Sequence, residues 1–276
     1  MANSKEAMPV TSVWSSGFVE ELLPSSQQVS LLYHISYLCL AKFPKLEMLL
    51  QMRALEIQLL FGSSEAVLLK CVGTSQLVSS LFAMLIRTVE KNNPVLAIKY
   101  LEKARTWITE IIRDVEKMVD RYDTHKKDVA TTTRDVITEN STIPEPTHLG
   151  EVQYFLSKIQ KILVQLQGFW ENVYMLLGNI KDKTFVDEDL IEEPEFKDLF
   201  VMSIQAASKV WEGFGLSCGK AVQIFRVQSK DAYSFLEIDP SSLSKDVWQK
   251  EYDSVKEKLQ ELKITVDPPS TPAIQN

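Results

Sequence analysis

The chain has 276 residues, 45% of them hydrophobic, which is enough to form a continuous core in one large domain or two small ones. Lysine and arginine number 30 against 37 aspartate and glutamate residues, so the net charge of -7 provides no general attraction to phosphate backbones, and nucleic acid is not expected as a partner. Only nine glycines occur, and few segments alternate apolar with polar residues, which disfavours sandwiches and barrels and favours an all-α fold.

The cysteines and the amino terminus indicate the compartment. The chain has three cysteines, Cys39, Cys71 and Cys218, which lie far apart in apolar segments. An odd number of cysteines at this spacing predicts reduced, buried thiols rather than a disulfide framework or a zinc site. The chain starts without a basic stretch followed by an apolar run, so no secretory signal peptide is recognised. We therefore expect a cytoplasmic protein that can also associate with a membrane.

The first predicted elements are an arm and a helix. Residues 1–24 combine polar and apolar side chains up to Pro24 and are expected to form an N-terminal arm that docks on the rest of the chain. Ser25 or Ser26 can cap a helix over residues 27–42. Pro44 is expected to end or kink that helix.

Residues 66–86 form the most hydrophobic segment of the chain. A strongly apolar helix over residues 45–61 precedes it, and Gly62-Ser63-Ser64 is expected to separate the two. The segment is long enough to span a bilayer, but Lys70, Gln76 and several hydroxyl residues dilute it, which favours the buried central helix of a soluble bundle over a permanent span. If the segment enters lipid, the side chains expected to contact it are Leu68, Leu69, Leu77, Leu81, Phe82, Leu85 and Ile86.

A long hairpin is predicted over residues 95–180. Pro94 suits the first turn of a helix, and apolar residues at seven-residue intervals predict that it continues to Glu139, a length of ~65 to 70 Å. Two prolines and a glycine in residues 140–150 predict a turn. Three positions then repeat every seven residues over 152–180, so the second helix should return antiparallel to the first.

Two more helices complete the prediction, one over residues 195–228 and one over residues 244–262, followed by a disordered tail at 263–276. Gly213, Gly215 and Gly219 permit a close helix contact or a kink. Residues 25–262 are thus predicted to form a single domain, an elongated antiparallel helical bundle with long heptad-patterned helices. Its core is predicted to contain Ile159, Leu163, Leu166, Trp170, Val173, Leu177, Trp211 and Phe214.

No motif for chemistry is recognised. His34, His125 and His148 are scattered, without the spacing of a metal-ligand set, and no nucleophile elbow or phosphate loop occurs. The glycine-rich stretch at 213–220 has the wrong spacing for nucleotide motifs and lies within an apolar helical stripe. No catalytic residue, cofactor or metal is therefore predicted, and the chain is interpreted as non-enzymatic.

The combination of heptad helices in a hairpin with the apolar segment 66–86 resembles the α-helical pore-forming proteins of the cytolysin A (haemolysin E) type. Residues 169–180 and the helix around 210–225 also look like the closing helices of such bundles. In that family the apolar tongue usually interrupts the long helices, whereas here it precedes both. The resemblance implies a soluble bundle that stores an apolar segment, releases it into a membrane and oligomerises with copies of itself.

Two other functions remain open from the residues. An intracellular scaffold or adaptor could use exposed parts of the helix over residues 95–139 to bind partner helices in a groove or coiled coil. An enzyme ranks third, because a buried site built from dispersed residues leaves no trace in one sequence.

Overall fold

The computed structural model describes residues 18–139, 147–184 and 194–266, and within these ranges the chain forms helices and turns without a strand. The α-helices are α1 (Phe18–Cys39), α2 (Pro44–Glu90), α3 (Pro94–Glu139), α4 (Thr147–Thr184), α5 (Pro194–Gln228) and α6 (Lys245–Val266). Two 3-10 helices, Asp231–Glu237 and Pro240–Ser242, lie between α5 and α6. The predicted all-α fold of packed helices is confirmed.

The start of α1 corrects the predicted boundary of the N-terminal arm. The helix begins at Phe18, so Pro24 lies inside it rather than before it, and residues 1–17 lie outside the described ranges. Ser26 does not cap a helix, because its hydroxyl donates to the Leu23 carbonyl at 2.9 Å within α1. Proline removes one backbone hydrogen bond there, and the burial of side chains on both sides of it, including Leu22, offsets that loss.

The predicted break at residues 62–64 is wrong. Helix α2 is continuous over 47 residues, so the apolar segment 66–86 is part of a longer helix. Ser64 is buried in α2, where its hydroxyl donates to the Leu60 carbonyl at 2.9 Å and lies 3.1 Å from the Tyr122 hydroxyl. These contacts satisfy a serine inside a helix, so the local signal for a break does not decide the structure.

The junction between α2 and α3 agrees with the sequence prediction. Asn92 has a positive φ of 55°, and its N–H donates to the Val89 carbonyl at 3.0 Å, while the Asn93 N–H donates to the Thr88 carbonyl at 3.0 Å. This pair of bonds is a Schellman motif, which ends a helix. The Asn93 side chain then accepts from the Leu96 N–H at 3.1 Å and caps α3.

Near the end of the chain, helix α6 was predicted too short, and the two 3-10 helices before it were not predicted. Helix α6 continues to Val266, so the predicted tail of residues 263–276 starts inside a helix, and residues 267–276 lie outside the described ranges. The two 3-10 helices bury Tyr233, Phe235 and Pro240. Their residues carry no regular apolar period, so no pattern in the chain predicts them.

The helices form two compact units that share α2, α3, α4 and α5. Unit 1 contains residues 65–119 and 162–222, together with the first residues of α1. Unit 2 contains residues 20–64, 120–161 and the described residues from 223 onward. Each unit has a buried apolar core of its own.

Within unit 1, helices α3 and α4 run antiparallel, as the hairpin prediction requires. The Gln167 side chain donates to Glu116 at 3.3 Å, and Lys181 donates to Glu102 at 2.8 Å. The position along α4 therefore increases as the position along α3 decreases. The turn predicted over 140–150 falls mostly outside the described ranges, and α4 has already begun at Thr147.

The predicted core residues are all buried in the structure. They are Ile159 in unit 2 and Leu163, Leu166, Trp170, Val173, Leu177, Trp211 and Phe214 in unit 1. The centre of unit 1 is an aromatic cluster. In it Phe169 and Phe214 stack at 4.1 Å, and the rings of Trp170 and Trp211 lie 5.0 Å apart.

Candidate functional site

The apolar segment 66–86 has one buried side and one exposed side. The seven side chains expected to contact lipid differ in exposure. Four are buried: Leu68, Leu81, Phe82 and Leu85. Two are exposed, Leu69 and Leu77, and Ile86 is half-buried. The sequence identified the apolar segment but not which of its side chains face solvent.

Helix α2 differs from the other helices of the described residues in one property: only α2 is both long enough and apolar enough to span a membrane. It is long and apolar enough to cross a bilayer by length and composition, yet only 39% of its most apolar stretch of 18 residues is buried. The core helix of a soluble protein can share this property, but it is then mostly buried. The exposed fraction of α2 therefore needs a physical explanation.

The exposed side of the segment is a narrow apolar stripe in unit 1. Leu69, Leu77 and Met84 are 46%, 51% and 50% exposed, and their spacing places them on one face of the helix. Gly73 and Ser80 lie between them at intervals of three or four residues, and a side chain added at Gly73 would meet no atom within 4 Å. We call these five residues the unit 1 stripe.

A second apolar stripe lies on α2 within unit 2. Met48, Met52, Leu55 and Leu59 are all exposed, with Leu59 at 68%, and they are spaced by four, three and four residues. This spacing again selects one helical face. We call these four residues the unit 2 stripe.

The buried side of the segment packs closely against α5 in unit 1. The Ser75 hydroxyl donates to the Trp211 carbonyl at 3.1 Å, and the Phe82 ring lies 6.2 Å from the Trp211 ring. At Gly215 an added Cβ would lie 3.0 Å from the Ser75 hydroxyl oxygen, so the absence of a side chain there permits the approach. Of the glycines at 213, 215 and 219, only Gly215 makes a close contact.

Two buried thiols lie at the same contact between α2 and α5. Cys71 and Cys218 are fully buried and are not joined in a disulfide. Burial raises the pKa of the Cys218 thiol, and the neighbouring Cys71 raises this pKa further. Cys218 is therefore a neutral thiol, and both buried cysteines act as small apolar side chains in the packing.

Lys70 is the charged residue nearest the centre of the predicted lipid-contacting segment. Its ammonium nitrogen lies 2.7 Å from a carboxylate oxygen of Asp114 and 3.6 Å from one of Glu110, both on α3. The hydrogen bond to Asp114 raises the pKa of Lys70. The ammonium group is therefore held in its charged form on the surface of unit 1.

A polar cluster in unit 2 joins residues that are far apart in the sequence. His125 is buried on α3, and its Nε2 lies 3.0 Å from the Tyr33 hydroxyl of α1. Its Nδ1 lies 3.3 Å from Glu56 on α2, without the alignment of a hydrogen bond. Arg53 donates to both Glu56 oxygens at 2.8 Å and to the Thr132 hydroxyl at 3.1 Å.

Burial sets the protonation states in this cluster. It raises the pKa of the Tyr33 hydroxyl well above its usual value, and it lowers the pKa of His125, although the Glu56 carboxylate opposes the second effect. A neutral imidazole therefore lies between a phenol and a carboxylate. No sequence signal could identify this cluster, because no pair among Tyr33, Glu56 and His125 shares a recognisable spacing.

Unit 2 also contains a cavity of about 770 Å³. It is formed by the end of α1, the turn before α2, the 3-10 helix at Pro240 and the first turns of α6. Its aromatic walls are Phe43, Trp248 and Tyr252. No local pattern in the sequence predicts a cavity there.

Known proteins provide no assignment for these features. No model of a known protein family matches the chain, and no curated protein matches it at a significant level of similarity. Among the residues that the structure describes, no group of three or more His, Cys, Asp or Glu side chains is placed to hold a metal ion. The function of the chain is therefore inferred from its own residues.

Proposed function

We propose that this chain is a non-enzymatic helical-bundle protein that associates with lipid membranes through α2, inserts the segment 66–86 and oligomerises there. The observation that supports the proposal is the partial exposure of a helix apolar enough to cross a bilayer. Its unit 1 stripe already presents leucine and methionine side chains to the surroundings. The absence of disulfides among the three cysteines supports a cytoplasmic location before membrane contact.

The first step is surface binding, which requires no unfolding. Leu69, Leu77 and Met84 can enter the boundary between headgroups and acyl chains while the buried side of α2 stays packed. Removing a leucine from water contributes about 1.5–3 kcal/mol when its burial is complete, and roughly half of that for side chains already half-covered. The stripe is therefore sufficient for weak, reversible binding.

The second step is release of the segment from α5 and α3. It exchanges the Phe82 contact with Trp211 for contact with lipid, and it breaks the ion pair between Lys70 and Asp114. An ammonium group inside a bilayer without a partner is costly, so neighbouring copies of the chain must supply polar partners for Lys70 and Gln76. Insertion is thus coupled to oligomerisation and requires a trigger, because a packed core has to open.

Binding to vesicles tests the first step. Purified wild-type protein and Leu69→Gln/Leu77→Gln are mixed with phosphatidylcholine vesicles, and the bound fraction is measured by flotation. We expect the variant's partition coefficient to fall at least about tenfold, since two leucine contacts are lost. The matched control is Val164→Gln/Met175→Gln, which changes two exposed apolar residues of α4 in the same unit. Equal losses in the two variants contradict the proposal.

Release of a trapped dye tests the second step. Vesicles loaded with calcein are incubated with wild-type protein at increasing protein concentration. The rate of dye release is expected to rise more steeply than in proportion to that concentration, because several copies of the chain are needed. Binding without release at any concentration contradicts insertion, while it leaves surface association standing.

The second candidate is a scaffold that binds partner helices. The observation in its favour is the unit 2 stripe, whose spacing of four, three and four residues matches an apolar seam for a helix. On α3, the helix expected to bind partners, the large apolar side chains left exposed, among those that the structure describes, are Val95 and Leu96 at its start. A partner helix would therefore find its apolar seam on α2.

Sedimentation distinguishes this second candidate. Helix association through the unit 2 stripe predicts that the wild-type protein forms stable dimers. Leu55→Gln/Leu59→Gln should then be monomeric, while Val227→Gln/Val247→Gln should remain dimeric. The control residues are exposed apolar residues on other helices of the same unit. A monomeric wild-type protein would rule out self-association through this surface.

A further inference from the structure

The cavity in unit 2 combines an apolar interior with positive charge. Its lining includes Leu38, Phe43, Leu243, Trp248 and Tyr252, and within the described residues no acidic side chain lines it. A volume of about 770 Å³ lies within the range of roughly 300–1,000 Å³ that small-molecule sites occupy. Its size and its lining therefore suit a small apolar ligand.

The aromatic wall of the cavity is held in place before any ligand binds. The Trp248 indole N–H donates to the Leu38 carbonyl at 2.9 Å, which fixes the ring against α1. The Tyr252 ring stacks on it at 5.1 Å with an angle of 14° between the planes. The two rings are nearly parallel, and both side chains line the cavity and remain half-exposed. An aromatic wall that is held in place and still partly exposed to water is favourable for an alkyl chain to cover.

Two lysines also line the cavity. They are Lys42, in the turn before α2, and Lys245, at the start of α6, and both are exposed. Neither forms an ion pair with an acidic side chain of the described residues. Their ammonium groups are thus available to an anion whose remaining atoms occupy the apolar interior.

We propose that this cavity binds a single-chain amphiphile with an anionic head, of the class of free long-chain fatty acids. The alkyl chain covers Trp248 and Tyr252, and the carboxylate lies between Lys42 and Lys245. No residue that lines the cavity belongs to the unit 1 stripe or the unit 2 stripe, so ligand binding here does not require membrane association.

Quenching of tryptophan fluorescence by dibromostearate tests this assignment, because bromine quenches only rings that it approaches closely. The acid is titrated below its micelle concentration into full-length protein without vesicles. We expect saturable quenching that disappears in Trp248→Phe, which keeps an aromatic ring in the wall. Quenching that persists in Trp248→Phe, or that does not saturate, would overturn the proposal.

The charge of the head is tested by pairing a protein variant with a ligand variant. Lys42→Ala/Lys245→Ala should weaken binding of the acid about tenfold, since two exposed charge contacts are lost. The same variant should bind the methyl ester as the wild type does. The control Lys230→Ala/Lys250→Ala changes the net charge equally at exposed positions of unit 2 that do not line the cavity. Equal weakening by the control, or equal loss for acid and ester, would contradict the role of the two lysines.

Discussion

The two units of this protein are built from the same four long helices but have different interiors. Unit 1 centres on Phe169, Trp170, Trp211 and Phe214, and its buried polar side chains are hydroxyl groups of serine and threonine. Unit 2 buries His125 and several tyrosines, serines and glutamines. A helix can therefore pass from an almost wholly apolar core to one that also buries polar side chains, without a break in its regular structure.

This difference predicts different sensitivities. An apolar core has no partner for an added charge, and its energy depends on volume and contact. A core that also buries polar groups depends in addition on the hydrogen bonds that those groups make, and its stability responds to pH where a histidine is included. All three histidines of the chain lie in the residue ranges of unit 2.

The largest expected effect comes from placing a charge in unit 1. Leu81 is 5% exposed, so Leu81→Asp buries a carboxylate without a partner and should lower the free energy of unfolding by about 4 kcal/mol or more. Leu77→Asp, on the exposed side of the same helix, should change it by less than ~0.5 kcal/mol. Urea denaturation measures both. A folded Leu81→Asp protein with unchanged stability would place that residue in solvent.

The next effect tests the aromatic cluster of unit 1. Trp170 is fully buried. Trp170→Ala should therefore lower the free energy of unfolding by ~3–5 kcal/mol, through lost contacts and the cavity left behind. Trp107→Ala, at a half-buried position of α3, should cost clearly less. Denaturation followed by far-ultraviolet circular dichroism avoids the loss of the fluorescent ring. Similar costs for both variants would mean that the cluster is not a centre of stability.

Acid should affect unit 2 through His34. Burial lowers the pKa of His34 to about 4, although Glu251 opposes this shift, and the ring stacks on Phe235 at 4.5 Å. Because the unfolded state binds a proton near pH 6.5 and the folded state does not, the free energy of unfolding should fall by up to ~3 kcal/mol as the pH falls from 6.5 toward 4. The burial of His125 acts in the same direction.

Urea midpoints of wild-type protein and His34→Gln, measured between pH 7 and pH 4, check this expectation. The variant should lose less stability over that range than the wild type. Identical slopes would show that His34 keeps an ordinary pKa in the folded protein.

A smaller effect tests the hydrogen-bonded cluster of unit 2. Tyr33→Phe keeps the ring but removes the hydroxyl that lies 3.0 Å from His125 Nε2. The buried imidazole loses its hydrogen-bond partner, which should lower the free energy of unfolding by about 1–2 kcal/mol. Stability measured by urea at pH 7 checks the value. An unchanged midpoint would show that the contact contributes nothing.

The smallest effect concerns the close contact of α2 with α5. Gly213 has no neighbour near an added Cβ, so Gly213→Ala should stabilise the protein by up to ~1 kcal/mol through helix propensity. At Gly215 the added Cβ meets the Ser75 hydroxyl oxygen at 3.0 Å, so Gly215→Ala should lose that gain or become destabilising. Thermal melting of the two variants measures the difference. Equal gains would mean that Ser75 moves aside without cost.

Much of the fold was predictable because the signals were local or periodic. The Asn92-Asn93-Pro94 sequence sets both the end of α2 and the start of α3 through backbone conformation and capping. Heptad intervals likewise identified the apolar sides of α3 and α4. At Pro24 and at Gly62-Ser63-Ser64 similar local signals failed, because packing on both sides of each position maintains the helix.

The candidate sites were predictable only in part, for a different reason. The apolar segment 66–86 is visible as composition, but the exposure of Leu69 and Leu77 depends on which helices cover the other faces of α2. The cavity with Lys42, Lys245 and Trp248 needs residues about 200 positions apart in the chain. One sequence contains no signal for such pairs.

The amino-acid sequence by itself determined that this protein is helical, where most of its helices lie and which of their faces are apolar, because these properties follow from residue type and spacing along one helix. Only the tertiary structure decided which apolar faces are covered, where polar groups such as Tyr33 and His125 meet, and that a cavity forms beside Trp248. These outcomes depend on contacts between distant segments, and the free energy of such contacts is set by the neighbours that packing brings together.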